Sequence, residues 1–145
     1  MNYKHTQVGY LILVVFIATS LLFGIALTQA GSNVLATILM ILILFILASF
    51  GTLQVNIDEN HLRIKFGYGI FYKKFSLNEI TSAKTVRNHW YYGWGIRLWF
   101  WPKMWIYNVS GFDAVEIKLK NGKMYRIGTN EPKKLEQAIL HSIKS

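Results

Sequence analysis

The chain has 145 residues, and its 16 Lys and Arg outnumber its 7 Asp and Glu, which gives a formal net charge of +9. It contains no cysteine, which excludes disulfides, a thiolate nucleophile and a cysteine-based metal site. The charge is unevenly spread, because no Lys, Arg, Asp, Glu or His lies between Thr6 and Ile57. This uncharged stretch separates a short N-terminal end from a basic C-terminal part.

Two apolar runs fill the uncharged stretch and predict a transmembrane helical hairpin at residues 1–53. Each run has about 20 residues, enough to cross a hydrocarbon core of about 30 Å as a helix. We expect the helices at about Val8–Thr28 and Val34–Leu53, with Gly31 suited to end the first and Ser32 or Asn33 to start the second. The alternative is a cleaved signal peptide, whose apolar core normally has only about 7–15 residues.

The basic residues that flank the two apolar runs predict their orientation. Lys4 precedes the first run, Arg63 and Lys65 follow the second, and the connecting loop has no basic residue. The positive-inside tendency therefore predicts a multi-pass protein with both termini in the cytoplasm. Neither run contains an ionisable residue, which favours an anchor over a transport pathway.

Beyond the hairpin, residues 54–145 predict one small domain of β-strands closed by a helix. Apolar and polar residues alternate with a period of two, interrupted by turns such as Asp58-Glu59-Asn60. Asn130 is a candidate cap for the helix, and its apolar stripe is Leu135, Ala138, Ile139 and Ile143. Seven strands are predicted, at residues 53–57, 62–66, 70–76, 80–87, 104–109, 114–119 and 123–127.

The register of the last predicted hairpin can be derived from charge and polarity. A two-residue turn at Asn121-Gly122 would mix apolar and charged residues on each face. A three-residue loop with Gly122 in the left-handed region instead places Glu116 opposite Arg126, with apolar pairs on the other face. This second register is therefore predicted.

Four strings in the C-terminal part resemble a family of small bacterial membrane proteins that carry a pleckstrin-homology (PH) domain. They are GWGIR at 93–97, WIYNVSG at 105–111, AVEIKL at 114–119 and RIGTNEP at 126–132. The resemblance implies a two-helix anchor in the bacterial inner membrane, followed by a seven-stranded antiparallel sandwich or barrel capped by a C-terminal helix. It implies no reaction. Because the first strand–strand loop, Asp58-Glu59-Asn60, is short and acidic, inositol-phosphate recognition is not carried over.

The aromatic segment from His89 to Tyr107 contains all five Trp residues and is the candidate contact surface. Trp and Tyr favour the membrane–water interface, and they are also frequent anchors at protein interfaces. The candidate contact residues are Trp90, Trp94, Arg97, Trp99, Trp101 and Lys103. The competing interpretation is that these rings fill the domain core, because alternation alone assigns no face to a loop.

No spacing in the sequence indicates catalysis, a metal site or a cofactor site, so we expect a non-enzyme. The basic excess is explained more simply by attraction to an anionic membrane leaflet than by nucleic acid. The predicted function is a membrane-anchored interaction module that contacts lipid head groups or a membrane protein partner. The alternatives are a scaffold or subunit of a larger membrane complex and a self-assembling homo-oligomer.

Overall fold

The computed structural model of the protein describes residues 3–89, 92, 95–100, 103–109 and 111–144. Two helices, two β-sheets and a C-terminal helix make up these residues. The helices are α1 (Tyr10–Ala30), α2 (Val34–Ser49) and α3 (Pro132–Lys144), and a 3-10 turn lies at Leu77–Glu79. The strands are β1 (Tyr3–Val8), β2 (Thr52–Ile57), β3 (His61–Phe66), β4 (Phe71–Ser76), β5 (Ile80–Arg87), β6 (Gly95–Phe100), β7 (Lys103–Asn108), β8 (Asp113–Leu119) and β9 (Met124–Gly128).

The nine described strands form a four-stranded sheet, β1-β2-β3-β4, and a five-stranded sheet, β5-β8-β9-β7-β6. The prediction of seven antiparallel strands was therefore wrong in number, and one pair, β7 with β9, is parallel. Strand β1 was missed because its polar residues read as the flank of a helix. Strand β6 was missed because apolar and aromatic residues on both faces, such as Ile96, Leu98 and Trp99, hide the period of two.

The main core lies between the inner faces of the two sheets and α3. The predicted alternation is confirmed there, since Leu53, Val55 and Ile57 of β2 are at most 2% exposed. Their cross-strand partners Phe66, Ile64 and Leu62 in β3 are at most 1% exposed. These pairs, together with inner-face residues of β8 and β9, supply most of the apolar burial that stabilises the domain.

The C-terminal helix closes this core as predicted, with Leu135, Ala138 and Ile139 almost completely buried. Its predicted cap at Asn130 was wrong, because the helix begins at Pro132 and the first helical hydrogen bond runs from the Leu135 N–H to the Glu131 carbonyl. The side chain of Asn130 is used elsewhere, at 2.5 Å from His5 Nε2 in β1.

The helical hairpin is shorter than predicted at both ends. Residues 3–8 form β1, and α2 ends at Ser49 because the chain enters β2 at Thr52. Of the two predicted candidates, Asn33 caps α2, accepting a hydrogen bond from the Ala36 N–H at 3.0 Å. Among the described helices, α1 is long and apolar enough to cross a membrane, whereas α2 has 16 residues.

Candidate functional site

The helical hairpin leaves the domain between two adjacent strands of one sheet. Strands β1 and β2 are antiparallel neighbours, and their last pair is Val8 with Thr52. Immediately beyond that pair, the Gly9 N–H donates to the Gly51 carbonyl at 2.7 Å. The first helix therefore departs from, and the second returns to, the same edge of the domain. We call this region the base of the domain.

Two glycines permit the close packing at the base. A Cβ on Gly9 would lie 2.9 Å from the Val109 carbonyl oxygen and 3.2 Å from that of Phe50. Gly67 has φ of +46°, and a Cβ there would lie 2.8 Å from the Ser49 carbonyl carbon and closer still to its oxygen. Since both obstacles are backbone atoms, no side-chain rearrangement could relieve the overlap.

An aromatic cluster joins α2 to the β3–β4 turn. Phe50 stacks on Phe71 with ring centroids 4.9 Å apart and meets the edge of Phe66 at 5.1 Å. One helical turn earlier, Phe45 stacks on Tyr68 at 5.6 Å. These ring contacts hold the end of α2 against the sheet.

The turn at residues 67–70, which we call the base turn, carries two exposed side chains next to α2. Tyr68 is 63% exposed and Ile70 is 53% exposed. These two side chains therefore form a small exposed apolar surface at the base. Sequence reasoning treated residues 67–69 only as a turn and Ile70 as the first residue of a strand, whereas strand β4 begins at Phe71. The sequence feature that could have indicated this surface is an aromatic and an aliphatic residue in a turn that contains two glycines.

The outer face of the four-stranded sheet is polar and basic. Arg63 pairs with Asp58 at 2.5 Å, whereas Lys4, Lys65 and Lys74 are exposed and form no salt bridge among the residues that the structure describes. The face comprises two cross-strand rows: Thr6, Gln54, Lys65 and Tyr72 nearer the base, then Lys4, Asn56, Arg63 and Lys74.

Of the candidate contact residues in the aromatic segment, the structure describes Arg97, Trp99 and Lys103. Trp99 is half-buried and packs with Tyr92, 4.8 Å between ring centroids, on the outer face of the five-stranded sheet. Arg97 is exposed on the same strand, and Lys103 is exposed at the start of β7. Trp90, Trp94 and Trp101 lie outside the described residues. The ring of Trp99 thus helps to cover the outer face of that sheet, in a small cluster apart from the main core.

A half-buried polar group lies beside this outer cluster. Arg126 and Glu116 face each other across β8 and β9, which confirms the register predicted from a three-residue loop. Gly122 in that loop has the expected positive φ of +84°. The guanidinium lies 3.2 Å from the Glu116 carboxylate, donates to Asn88 Oδ1 at 3.1 Å and lies 5.5 Å from the Tyr92 ring centroid. The guanidinium and the carboxylate pair with each other, which indicates a structural role, whereas Asn88 Nδ2 is buried and has no hydrogen-bond partner among the described residues.

A second polar link joins β1 to the start of α3, away from the base. The Tyr3 hydroxyl donates to Glu131 at 2.5 Å, and His5 Nδ1 lies 3.3 Å from the same carboxylate. The Tyr3 hydrogen bond, helped by the neighbouring His5 and Lys134, holds the pKa of Glu131 below its ordinary value against the opposing effect of burial. Burial, and then Glu131 itself, raises the pKa of Tyr3 above its ordinary range.

Nothing in the described ranges assembles a metal site, since no three His, Asp or Glu side chains there are grouped as ligands. The lowered pKa of Asp58 has a local cause, because its carboxylate accepts the backbone N–H groups of Asn60 and His61 in a turn. The arrangements that can make external contacts are therefore the hairpin with its base turn, the basic outer face and a groove at the far end of the five-stranded sheet. Comparison with protein-family models and with curated proteins finds no match to this chain.

Proposed function

We propose that the protein is a membrane-anchored interaction module with a PH-like domain whose base contacts lipid head groups. The observation that carries the proposal is the uncovered apolar surface of the hairpin. No residue of α1 is buried, and side chains such as Leu22 (69%) and Val34 (79%) are exposed. Moving one such side chain out of water is favourable by about 1.5–3 kcal/mol. Because many such side chains lie along the two helices, the summed free energy of transfer favours a hydrocarbon environment over water for the hairpin.

The lengths of the helices agree with a bilayer anchor. The 21 residues of α1 extend over about 32 Å, and the 16 residues of α2 over about 24 Å. The longer helix can tilt, and the bilayer can thin locally around the shorter helix, so that both helices match the thickness of the same bilayer. Because both helices join the same edge of one sheet, the two ends of the chain lie on the same side of the membrane. The positive-inside tendency makes that side the cytoplasm.

The PH-like assignment is supported by the four-stranded antiparallel sheet, the second sheet packed on it and the C-terminal helix against both. The parallel pair of β7 and β9 and the additional strands are departures from the seven-stranded layout. The added strand β1 has a clear role in this proposal. Because β1 pairs with β2, the helical anchor is attached to the sheet at both of its ends and is not a flexible tail.

The contact with lipid head groups is proposed for the base turn and the adjacent row of the outer face. The Tyr68 ring stacks on Phe45 of α2, where a membrane surface would begin, and Ile70 is exposed in the same turn. Lys65 and Tyr72 follow in the nearest row. Tyrosine favours the head-group region, and each lysine near an anionic leaflet gains about 1 kcal/mol.

Site-directed fluorescence tests this proposal, because the chain contains no cysteine. A single cysteine at Ile70→Cys in the full-length protein, labelled with an environment-sensitive dye and reconstituted in vesicles, should be quenched by lipids that carry a shallow nitroxide. The matched control is Lys120→Cys in the exposed β8–β9 turn, which should not be quenched. Equal quenching at the two positions, or none at position 70, would show that the base does not contact the membrane.

A further inference from the structure

A groove lies at the end of the five-stranded sheet opposite to the base. It has a volume of about 400 Å³ and is formed by the β6–β7 hairpin and the β8–β9 turn. Leu98 and Trp105 form a cross-strand pair in it, and Met104 and Met124 also line it, although Met104 is only 1% exposed. Trp105 is 39% exposed, although tryptophan carries one of the largest apolar surfaces of any residue.

The apolar part of the groove has the character of a protein-binding site. Trp is enriched among the residues that dominate binding energy at interfaces, and Met adapts its shape to different partners. Strand β6, which supplies Leu98, is the last strand of the sheet in the described part of the fold. A strand in that position can accept an extended segment by backbone hydrogen bonding.

The charged side chains among the described residues that line the groove are both positive. Lys103 and Lys123 line it and are exposed, and no Asp or Glu is among its described lining residues. Neither lysine forms a salt bridge within the described ranges. A third lysine, Lys120, is exposed in the adjoining turn. Two exposed ammonium groups beside an apolar surface complement an apolar side chain flanked by carboxylates.

The position of the groove points to an occupant from the aqueous phase. Strand β7 runs from Lys103 at the groove to Asn108, and the next residue, Val109, contacts Gly9 at the base. Six residue steps in an extended strand separate the two ends by about 20 Å. Head groups that contact the base would therefore not reach the groove.

We propose that this groove binds a segment of a partner protein in which an apolar side chain is flanked by acidic residues. Lys103 and Lys123 bind the carboxylates, and Trp105 with Leu98 receives the apolar side chain. This inference goes beyond the proposed lipid contact and does not depend on it, because the two surfaces lie at opposite ends of the domain.

The binding test uses the full-length protein in nanodiscs of neutral phosphatidylcholine. The probe is a fluorescein-labelled peptide with a central Leu-Phe pair between Asp and Glu residues, and binding is followed by fluorescence anisotropy. We expect saturable binding, weakened about tenfold when the Asp and Glu of the peptide are replaced by Asn and Gln. Absence of binding at millimolar peptide, or equal binding of the neutral peptide, would overturn the proposal.

Variants in which lysines are replaced by glutamates test whether the peptide binds at the groove. The double variant Lys103→Glu/Lys123→Glu should weaken acidic-peptide binding at least about tenfold. The matched control Lys84→Glu/Lys133→Glu makes the same change in net charge at exposed residues of β5 and α3, and should bind within about twofold of the parent. Equal weakening by the two double variants would show a non-specific charge effect and overturn the site.

An apolar variant and a competitor distinguish the partner segment from other occupants. Trp105→Ala should abolish saturable peptide binding while the far-ultraviolet circular dichroism stays unchanged, because the indole is partly exposed. Decanoate, a carboxylate on an alkyl chain, tests for an acyl-chain site. Displacement of the peptide by micromolar decanoate would overturn the assignment to a protein segment. The nanodisc lipid is neutral, so failure of the lipid-contact proposal would not affect this result.

Discussion

At Gly67 the backbone adopts a conformation that disfavours a side chain, and a neighbouring backbone leaves no space for one. The positive φ alone costs most residues about 1–2 kcal/mol. The contact of a Cβ with the Ser49 carbonyl would add an overlap between the base turn and the end of α2. The same residue therefore determines both the turn and the attachment of the hairpin.

The variant Gly67→Ala should lower the stability of the domain by about 2 kcal/mol or more, because it adds strain and separates α2 from the base turn. Denaturant unfolding of the full-length protein in detergent, followed by near-ultraviolet circular dichroism, measures the effect. Gly122→Ala is the control, since Gly122 also has a positive φ, but no atom of the described residues lies within 4 Å of the position that a methyl group would take. An equal loss in both variants would contradict the close contact.

The Tyr3–Glu131 link predicts a loss of stability in acid. A carboxyl whose pKa is lower in the folded than in the unfolded state contributes stability that is complete above its ordinary pKa of about 4.3. That contribution is lost as the pH falls through the folded-state value. The melting temperature of Glu131→Gln should thus fall less steeply below about pH 4.5 than that of the parent. Asp58 contributes to the parent profile in the same window.

Two variants separate Glu131 from the other carboxyls. Tyr3→Phe removes the hydroxyl donor and should also flatten the acid limb of the profile. Glu59→Gln changes an exposed carboxyl outside every described salt bridge and should leave the profile unchanged. A parent-like acid limb in Glu131→Gln would show that the link does not stabilise the fold.

At the scale of elements, the β8–β9 hairpin combines a local register with a half-buried charge pair. Glu116 and Arg126 are 13% and 14% exposed, so each would lose solvation without its partner. Arg126 additionally binds Asn88 and lies over Tyr92, which connects the hairpin to the outer cluster. The pair therefore links the strand register to the packing of the segment that covers the sheet.

A double-mutant cycle on this pair should show coupling. We expect Glu116→Gln and Arg126→Met each to cost about 1–3 kcal/mol, with the larger loss at Arg126 because it has three partners. The double variant should cost less than the sum of the two by about 1 kcal/mol, since it leaves no unpaired charge. Additive losses in denaturant unfolding would show that the pair contributes nothing beyond its separate contacts.

At the scale of the whole molecule, the pairing of β1 with β2 makes the helical hairpin an insertion between neighbouring strands. Both ends of the chain belong to one domain, since β1 contacts the start of α3 through Tyr3 and His5. The loop between α1 and α2 is the part of the chain farthest from that domain. A bilayer around the hairpin would therefore separate this loop from everything else.

Labelling of single cysteines in intact cells checks this arrangement. Ser32→Cys in the helix–helix loop should react with a membrane-impermeant maleimide, and Lys133→Cys at the start of α3 should react only after permeabilisation. The cysteine-free parent gives the background. Labelling of both positions from the same side would contradict a hairpin that crosses the membrane twice.

Much of the fold could be predicted because its signals are local in sequence. The apolar runs, the alternation in β2 and β3, the stripe of α3 and the Glu116–Arg126 register all follow from neighbouring residue types. In the candidate site, the helical hairpin could be predicted in outline, with Asn33 as one of two candidate caps of α2. The base turn could not be predicted, because exposure of Tyr68 beside Phe45 depends on how α2 meets the sheet.

The sequence by itself determined that this protein has an uncharged apolar hairpin joined to a basic β-domain with a closing helix. Only the tertiary structure decided that polar residues 3–8 form a strand, that β7 and β9 are parallel neighbours and that Trp99 packs on Tyr92 while Trp105 lines a groove. The physical reason is that hydrophobic periodicity reports burial along one element. The pairing of distant strands depends on contacts that the chain makes only when it is folded.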